Sequence, residues 1–303
     1  MAKPKSTKVR EPLGDRVLHA FTTCFMAFIL LVIGYPLLYC ISCSFSSVDA
    51  LNNREVLLWP VGFTFSGYEF VLKYEQLWVG YRNTIFYTIA HTVVGVVAQI
   101  LVAYPLSKRY YQARGLCTKL LVIAMLTSAG LIPSFLLNMW LGLNNTVWII
   151  IFGGCVSISN IMILRTSFKS SIPEDLFDAA RIDGASDFRQ LTTIAVPLAK
   201  ATISVIMLYI AVGQWNSYFT ALVYLTDRMD LWPLQLVVRN IMSAAQKLDN
   251  SELGTGALEA MKKSNFEQIR YAIIIVVTAP LLAMYLVAQK YFEKGVMIGS
   301  VKG

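Results

Sequence analysis

An all-α membrane fold of six spanning helices is predicted by three observations. Hydrophobic residues make up 56% of the 303 and charged residues 15%, with a mean hydropathy of +0.58, a balance typical of polytopic membrane proteins and too apolar for a soluble domain of this size. Apolar stretches without Asp, Glu, Lys or Arg recur at the length of about 20 residues that crosses a hydrocarbon core about 30 Å thick. The basic residues, finally, crowd into every second connection between those stretches.

The first span covers about 17–45 and is interrupted only by His19. A basic N-terminal segment, 1–16, precedes it, as in a secretory leader. The apolar run is too long for a leader's core and further spans follow, so it reads as a retained helix. Next comes a connection, Ser46 to Arg82, that carries Trp59-Pro60 and the aromatics Phe63, Phe65, Tyr68, Phe70, Tyr74 and Trp78, which suit anchors at a membrane surface. The second span, 84–107, contains one histidine, His91, read as a packed or hydrogen-bonded membrane residue. Leu120 to Leu164 holds no charge over 45 residues, too long for one crossing, and Leu141 to Thr146 (LGLNNT) supplies a turn, giving spans at 120–140 and 146–164. The fifth and sixth spans are 201–226 and 271–290. Between them Asp227 to Arg270 balances six basic and six acidic residues, and Leu234, Val237, Val238, Ile241, Met242 and Ala245 fall at the spacing of an amphipathic helix lying along the outer surface.

Of the 26 basic residues, 17 lie in 1–16, 108–119, 165–200 and 290–303, a set with net charge +9 against −1 for the opposite connections. By the positive-inside rule both termini and the 165–200 connection are expected to be cytoplasmic, in a multi-pass cell-membrane protein. The net charge of +8 is thus a topology signal and gives no reason to invoke nucleic acid. Five cysteines, Cys24, Cys40, Cys43, Cys117 and Cys155, lie in or beside apolar stretches; Cys40 and Cys43 form a CxxC without a second pair or nearby histidine, so no metal is expected. No paired carboxylates or nucleophile and base sets fall within the spans, and the chain itself is expected to be non-catalytic.

The cytoplasmic segment 171–200 differs from an ordinary connection. Ser171-Ile172-Pro173-Glu174 fits a capping box with Ser171 as N-cap. Leu176, Phe177, Ala179 and Ala180 give the ensuing helix a small apolar face, and Gly184 suits the left-handed residue that ends it. Ser186 then caps a second helix, with Asp187 at its positive end and Pro197 breaking the pattern at the membrane boundary. Helix, glycine turn, helix is the expected shape, with Ala179, Ala180 and Ala185 allowing a neighbouring surface to approach. A side chain at Gly184 should block both the turn and that approach. A hairpin that only joins two spans would show the same caps, so the caps alone do not imply a partner.

The letters do. Asp178-Ala179-Ala180, Asp183-Gly184-Ala185, Ile194 and Val196-Pro197-Leu198 resemble the EAA motif of ATP-binding-cassette (ABC) importer permeases, departing from it in Asp178 for Glu, Leu191 for Phe, Val196 for Leu and Ala201 for a final Pro. Tyr81-Arg82-Asn83-Thr84, Ala103-Tyr104-Pro105-Leu106-Ser107, Gly130-Leu131-Ile132-Pro133, Leu143-Asn144-Asn145-Thr146, Ile163-Leu164-Arg165-Thr166 and Gln214-Trp215-Asn216 resemble the carbohydrate-uptake members, similar to the smaller permease of the maltose transporter. The end, Lys294 to Gly303 (KGVMIGSVKG), looks like the branch serving complex oligosaccharides in Gram-positive bacteria.

The resemblance implies a six-helix permease domain, 17–292, working with a second homologous permease, two copies of a cytoplasmic ABC ATPase and an extracellular solute-binding lipoprotein. The hairpin, through Asp178, Ala179, Ala180, Asp183, Gly184, Ala185 and Pro197, would dock the ATPase, and the tail 293–303 would reach between the two ATPase copies. ATP and Mg would sit on that partner and no cofactor on this chain, which has no GxxxxGK[ST] loop. Candidates for the sugar path are Asn138, Trp140, Asn160, Gln214, Trp215, Asn216 and Tyr218, polar or indole groups inside apolar stretches, although interhelical hydrogen bonding would also account for them. An ion-driven transporter or channel is the alternative. It would be expected to carry ionisable residues near mid-membrane, and the spans have no Asp, Glu, Lys or Arg there.

Overall fold

The computed structural model describes residues 12–127, 129–250 and 267–286. Among these every regular element is helical: α1 (Leu13–Ser44), α2 (Val48–Asn52), α3 (Ser66–Lys73), α4 (Glu75–Ser107), α5 (Arg114–Leu126), α6 (Leu131–Trp140), α7 (Val147–Phe152), α8 (Ile158–Ser171), α9 (Glu174–Ile182), α10 (Asp187–Leu198), α11 (Lys200–Trp215), α12 (Phe219–Tyr224), α13 (Leu234–Asn250) and α14 (Glu267–Leu286). Helices α1, α4 and α14 are long and apolar enough to cross a membrane, and the number rises to five if α5–α6, bent by 114°, and α10–α11, bent by 82°, each count as one crossing. The expected tail 293–303, most of segment 1–16 and the side chain of Ala245 lie outside the described residues.

Helix ends differ from several expected span edges, for physical reasons. The helix that holds the expected second span, 84–107, is α4, which begins earlier, at Glu75, because Glu75 and Arg82 end an apolar run without breaking backbone hydrogen bonding. The stretch expected as one span at 146–164 is divided into α7 and α8: Gly154 takes φ +69°, and Ser157 restarts the helix as an N-cap, accepting from the Asn160 N–H at 3.5 Å. In the fifth stretch α11 stops at Trp215 and α12 resumes at Phe219. The LGLNNT turn falls where expected, with Gly142 at φ +69° and Asn145 at φ +55°.

The chain forms two compact units, Met1–Lys73 with Leu248–Val276 and Tyr74–Lys247 with Val277–Gly303. In the first, Phe63, Phe65 and Tyr68 gather around Phe45, with ring centroids 5.0 to 5.7 Å from it. Ser66 Oγ donates to Gln268 Oε1 at 2.6 Å, and Tyr39 meets Tyr271 edge to face at 6.1 Å.

In the second unit α4 is the central helix, packed against α8 and α11. Two clusters form on it. Val96, Ala103, Tyr104 and Leu106 join Ile161, Leu164 and Phe168 of α8, Phe177 of α9, Leu191 and Ala195 of α10 and Ile203 and Ile206 of α11. Further toward its N-terminus Tyr87 joins Ile149 to Ile151 of α7, Tyr224 of α12 and Leu236 of α13. The Asn83-Thr84 pair fixes the turn before α13: Asn83 Nδ2 donates to the Asp230 carbonyl at 2.8 Å, and Thr84 Oγ1 accepts from the Leu234 N–H at 2.8 Å. Helix α13 is amphipathic as expected, with Leu234, Leu236 and Val237 buried and Arg239 and Asn240 exposed.

Candidate functional site

The hairpin of α9 and α10 is built from local chemistry that its sequence mostly announces. Helix α9 ends in paired hydrogen bonds, Gly184 N–H to the Arg181 carbonyl at 3.0 Å and Ala185 N–H to the Ala180 carbonyl at 2.9 Å, with Gly184 at φ +75°. Ser186 Oγ then accepts from the Arg189 N–H at 3.3 Å and starts α10. The expected capping box is not formed. Ser171 is the last residue of α8, Ile172 runs extended, and Pro173 occupies the N-cap of α9 with no side-chain cap bond. Proline at 173 holds Ile172 out of the helical region, which separates Ser171 from the turn it would have capped. Leu191–Ala195 forms a π turn inside α10, and the bend falls after Pro197, at Ala199.

Phe177 alone of the α9 face is buried, at 6% exposed; Leu176 and Ala179 point outward and Ala180 is half-buried. Its ring packs between Tyr104 and the rest of the α4–α8 cluster. The connection from α4 to α5 grips the hairpin from the other side. Arg109 Nε pairs with Glu174 Oε2 at 2.9 Å, Tyr110 donates its hydroxyl to Asp187 Oδ1 at 2.7 Å, and the Arg181 guanidinium lies 4.4 Å from the Tyr110 ring centre. Burial, with the Asp187 bond adding to it, pushes the Tyr110 phenol above its usual range. Lys108 is buried beside Tyr104 and Phe177, and that burial pulls its ammonium down to about 8.

What the hairpin leaves outward is mixed, with large apolar side chains among exposed charged residues such as Asp178, Asp183 and Arg189. Ile182 is 88% and Phe188 69% exposed, one on each side of Gly184. A Cβ built on Gly184 meets nothing of this chain within 4 Å. The positive φ, and not packing inside the chain, is therefore what demands glycine there. Asp178, Asp183 and Pro197 are exposed and Ala185 is half-buried.

A second feature of the same unit is a cavity of about 330 Å³ where α7 breaks from α8, lined by His91, Gly153, Ser157, Asn160, Gln214 and Thr220 among others. The broken backbone is held by α4. Gln99 Nε2 donates to the Cys155 carbonyl at 3.0 Å, His91 Nδ1 lies 3.1 Å from the Ile150 carbonyl, and a Cβ on Gly95 would stand 2.5 Å from the Cys155 oxygen. Of the sequence candidates for a sugar path, Asn160 and Gln214 line this cavity. The others do not meet there. Asn138 donates to the Tyr224 hydroxyl at 2.9 Å, Trp140 is 82% exposed, Trp215 is buried against Tyr81, Asn216 Nδ2 donates to the Val212 carbonyl, and Tyr218 stacks with Arg239. His91, Ser157 and Thr220 were missed as lining residues; the Gly153-Gly154 pair in an apolar run was the available signal that a span opens at that point.

The chain is 35% identical over 268 residues to Protein LplC of Bacillus subtilis (strain 168), covering 88% of this chain and 89% of that one. It is 33% identical over 297 residues to the polygalacturonan/rhamnogalacturonan transport system permease protein YtcP of the same organism, covering 97% and 100%. Among solved structures it resembles, at a TM-score of 0.82 and 32% identity over 94% of this chain and all of the other, a chain of a bacterial ABC transporter involved in the import of the acidic polysaccharide alginate. Residues 6–298 match one family throughout, and the chain belongs to it: it is a binding-protein-dependent transport system inner membrane component.

Proposed function

We propose that the chain is the permease subunit of an ABC importer for oligosaccharides, coupled to a separate cytoplasmic ATPase through the α9–α10 hairpin. The observation that carries this is the hairpin's division of labour: Phe177 anchors it in the core while Ile182 and Phe188 stand exposed around an open Gly184. Large apolar side chains held exposed on a capped turn favour a protein partner over water. In this reading the chain crosses the membrane six times, with domain 17–292 between cytoplasmic ends 1–16 and 293–303, and the bent or broken helices complete the count. Its partners are a second permease of the same family, two ATPase copies that hold ATP and Mg, and an extracellular binding lipoprotein. The chain binds no cofactor and catalyses nothing itself.

The mechanism is population shift. ATPase closure drags the hairpin, and the hairpin moves α4, α8 and α11, whose side chains share its core. Driving a transporter from mostly inward-facing to mostly outward-facing takes differential binding of about 5 kcal/mol. An oligosaccharide cargo is supported by one relative named for polygalacturonan/rhamnogalacturonan transport and by the alginate importer. The cavity at the α7–α8 break, with amide, hydroxyl and imidazole groups, suits sugar hydroxyls and is the candidate path within this subunit.

Affinity purification of the tagged full-length chain from native membranes should recover an ATPase, a second permease and a binding protein. Gly184→Asp should reach the membrane but abolish sugar-stimulated ATP hydrolysis by that complex. Recovery of the chain with no ATPase, or unchanged hydrolysis in the variant, would overturn the assignment.

A further inference from the structure

Lys108 follows directly after α4 and is 6% exposed, yet among the described residues its Nζ has no hydrogen-bond partner. An ammonium has three donors to satisfy, and a desolvated cation that makes no hydrogen bond is costly. Its surroundings are aromatic: Nζ lies over the Tyr104 ring, 4.6 Å from the centroid, and over the face of Phe177. Ring faces attract a cation but accept no conventional hydrogen bond from all three donors. The nearby carboxylates are engaged elsewhere. Glu174 pairs with Arg109 at 2.9 Å, Asp178 with Arg181 at 3.6 Å, and Asp187 accepts from Tyr110 at 2.7 Å.

Lys108 also lines a cavity of about 340 Å³ between the end of α4, the end of α8 and the start of α9, with Arg109, Lys169, Ser107, Ser170 and Glu174 as its other polar lining. Three basic residues, Lys108, Arg109 and Lys169, and one carboxylate, Glu174, thus line a space wide enough for a compact tetrahedral anion. We propose that this cavity is a binding site for a phosphate oxyanion, with Lys108 as its buried charge and Lys169 and Ser170 at its rim. An oxyanion there would accept the unused donors of Lys108, whose Nζ would turn from the ring faces to meet it, in charge-assisted bonds, and would add a counter-charge to a lining of three cations and one carboxylate. The site sits at the root of α9, so its occupant would stiffen the joint between hairpin and core. The phosphate could belong to the headgroup of an anionic phospholipid, since basic pockets at helix ends suit such headgroups, or to inorganic phosphate from solution.

The full-length chain, reconstituted in phosphatidylcholine nanodiscs, would be titrated with phosphatidylglycerol or with inorganic phosphate. Retained lipid would be read by native mass spectrometry and the unfolding midpoint by intrinsic fluorescence. Phosphatidylglycerol retention should fall about tenfold in Lys108→Gln, the loss of one charge-assisted bond, and stay unchanged in Arg228→Gln, which alters a distant exposed cation. That pattern supports the site with lipid as its source. A midpoint raised by inorganic phosphate in the wild type but not in Lys108→Gln supports the same site with a free anion as its source. Should Lys108→Gln fail to fold, Lys169→Gln, at an exposed position, should still weaken the retention or the phosphate shift several-fold. Absence of both effects in the wild type, or wild-type behaviour in both lysine variants, overturns the proposal.

Discussion

Phe177 of α9 and Tyr104 of α4 meet nearly edge to face, ring centroids 6.3 Å apart and planes at 67°, and Tyr104 makes a second such contact with Phe168 of α8 at 6.1 Å and 87°. One tyrosine therefore joins the hairpin to two helices. Phe177→Ala should cost about 3 to 5 kcal/mol, the range for removing a buried aromatic, and Phe177→Leu distinctly less. Thermal unfolding of the reconstituted chain checks the order. If the contact transmits force, Phe177→Ala should also lower substrate stimulation of ATP hydrolysis in the complex by more than its effect on ATPase recovery.

Gly184 separates conformation from docking. Its φ of +75° penalises most side chains by about 1 to 2 kcal/mol, but asparagine visits that region readily. Because no atom of this chain lies within 4 Å of a Cβ there, Gly184→Asn should leave the unfolding midpoint nearly unchanged while reducing the ATPase recovered with the tagged chain. A shifted midpoint with normal recovery would place the demand for glycine inside the fold.

The break between α7 and α8 depends on α4. A methyl at Gly95 would lie 2.5 Å from the Cys155 oxygen, so Gly95→Ala forces the backbone apart and should cost about 1 to 3 kcal/mol, as overpacking does. Gln99→Leu leaves the Cys155 carbonyl without its amide donor and should cost about 1 to 3 kcal/mol. Cysteine labelling supplies the second readout. Cys155 is buried, and its reaction with a maleimide should accelerate in either variant if the turn loosens.

Lys108 predicts a pH dependence of definite sign. Burial pulls its ammonium from 10.5 down to about 8 in the folded chain, against the attraction of Asp187, Glu174 and Asp178 and with the repulsion of Arg181. Between those two values the unfolded chain binds a proton that the folded chain has released, so stability contributed by this group rises as pH climbs from about 8 to 10.5 and is flat below. In Lys108→Met that increment should vanish. The difference in unfolding midpoint between wild type and variant, followed across this window without added phosphate or anionic lipid, measures it.

Much of the hairpin was legible because its signals are local. Gly184 and Ser186 each act within four residues of chain, and each is found doing what its neighbours imply. Ser171 misled because its motif was locally complete, while Pro173 and the continuation of α8 decided the outcome. Span edges drifted for a related reason: charge marks where an apolar run stops, and helices such as α4 continue past Arg82 by backbone bonding alone. The cavity was the least legible feature. Asn160 and Gln214 stand far apart in sequence, and nothing local says that His91 of α4 joins them. Nor could the burial of Lys108 be foreseen, since the aromatic rings around it come from α4 and α9.

The π turn at Leu191–Ala195 accommodates one residue more than an α-helical turn of the same kind. Each residue of a helix advances about 100° around the axis. Deleting one residue from 191–195 would therefore swing Phe188, Ser186 and Gly184 by roughly a quarter-turn relative to Leu198 and to α11 beyond it. Side chains in this stretch can be exchanged at modest cost, but its length sets the compass bearing of the hairpin's exposed face. Among chains that share this architecture, insertions and deletions should be far rarer between Leu191 and Ala195 than substitutions.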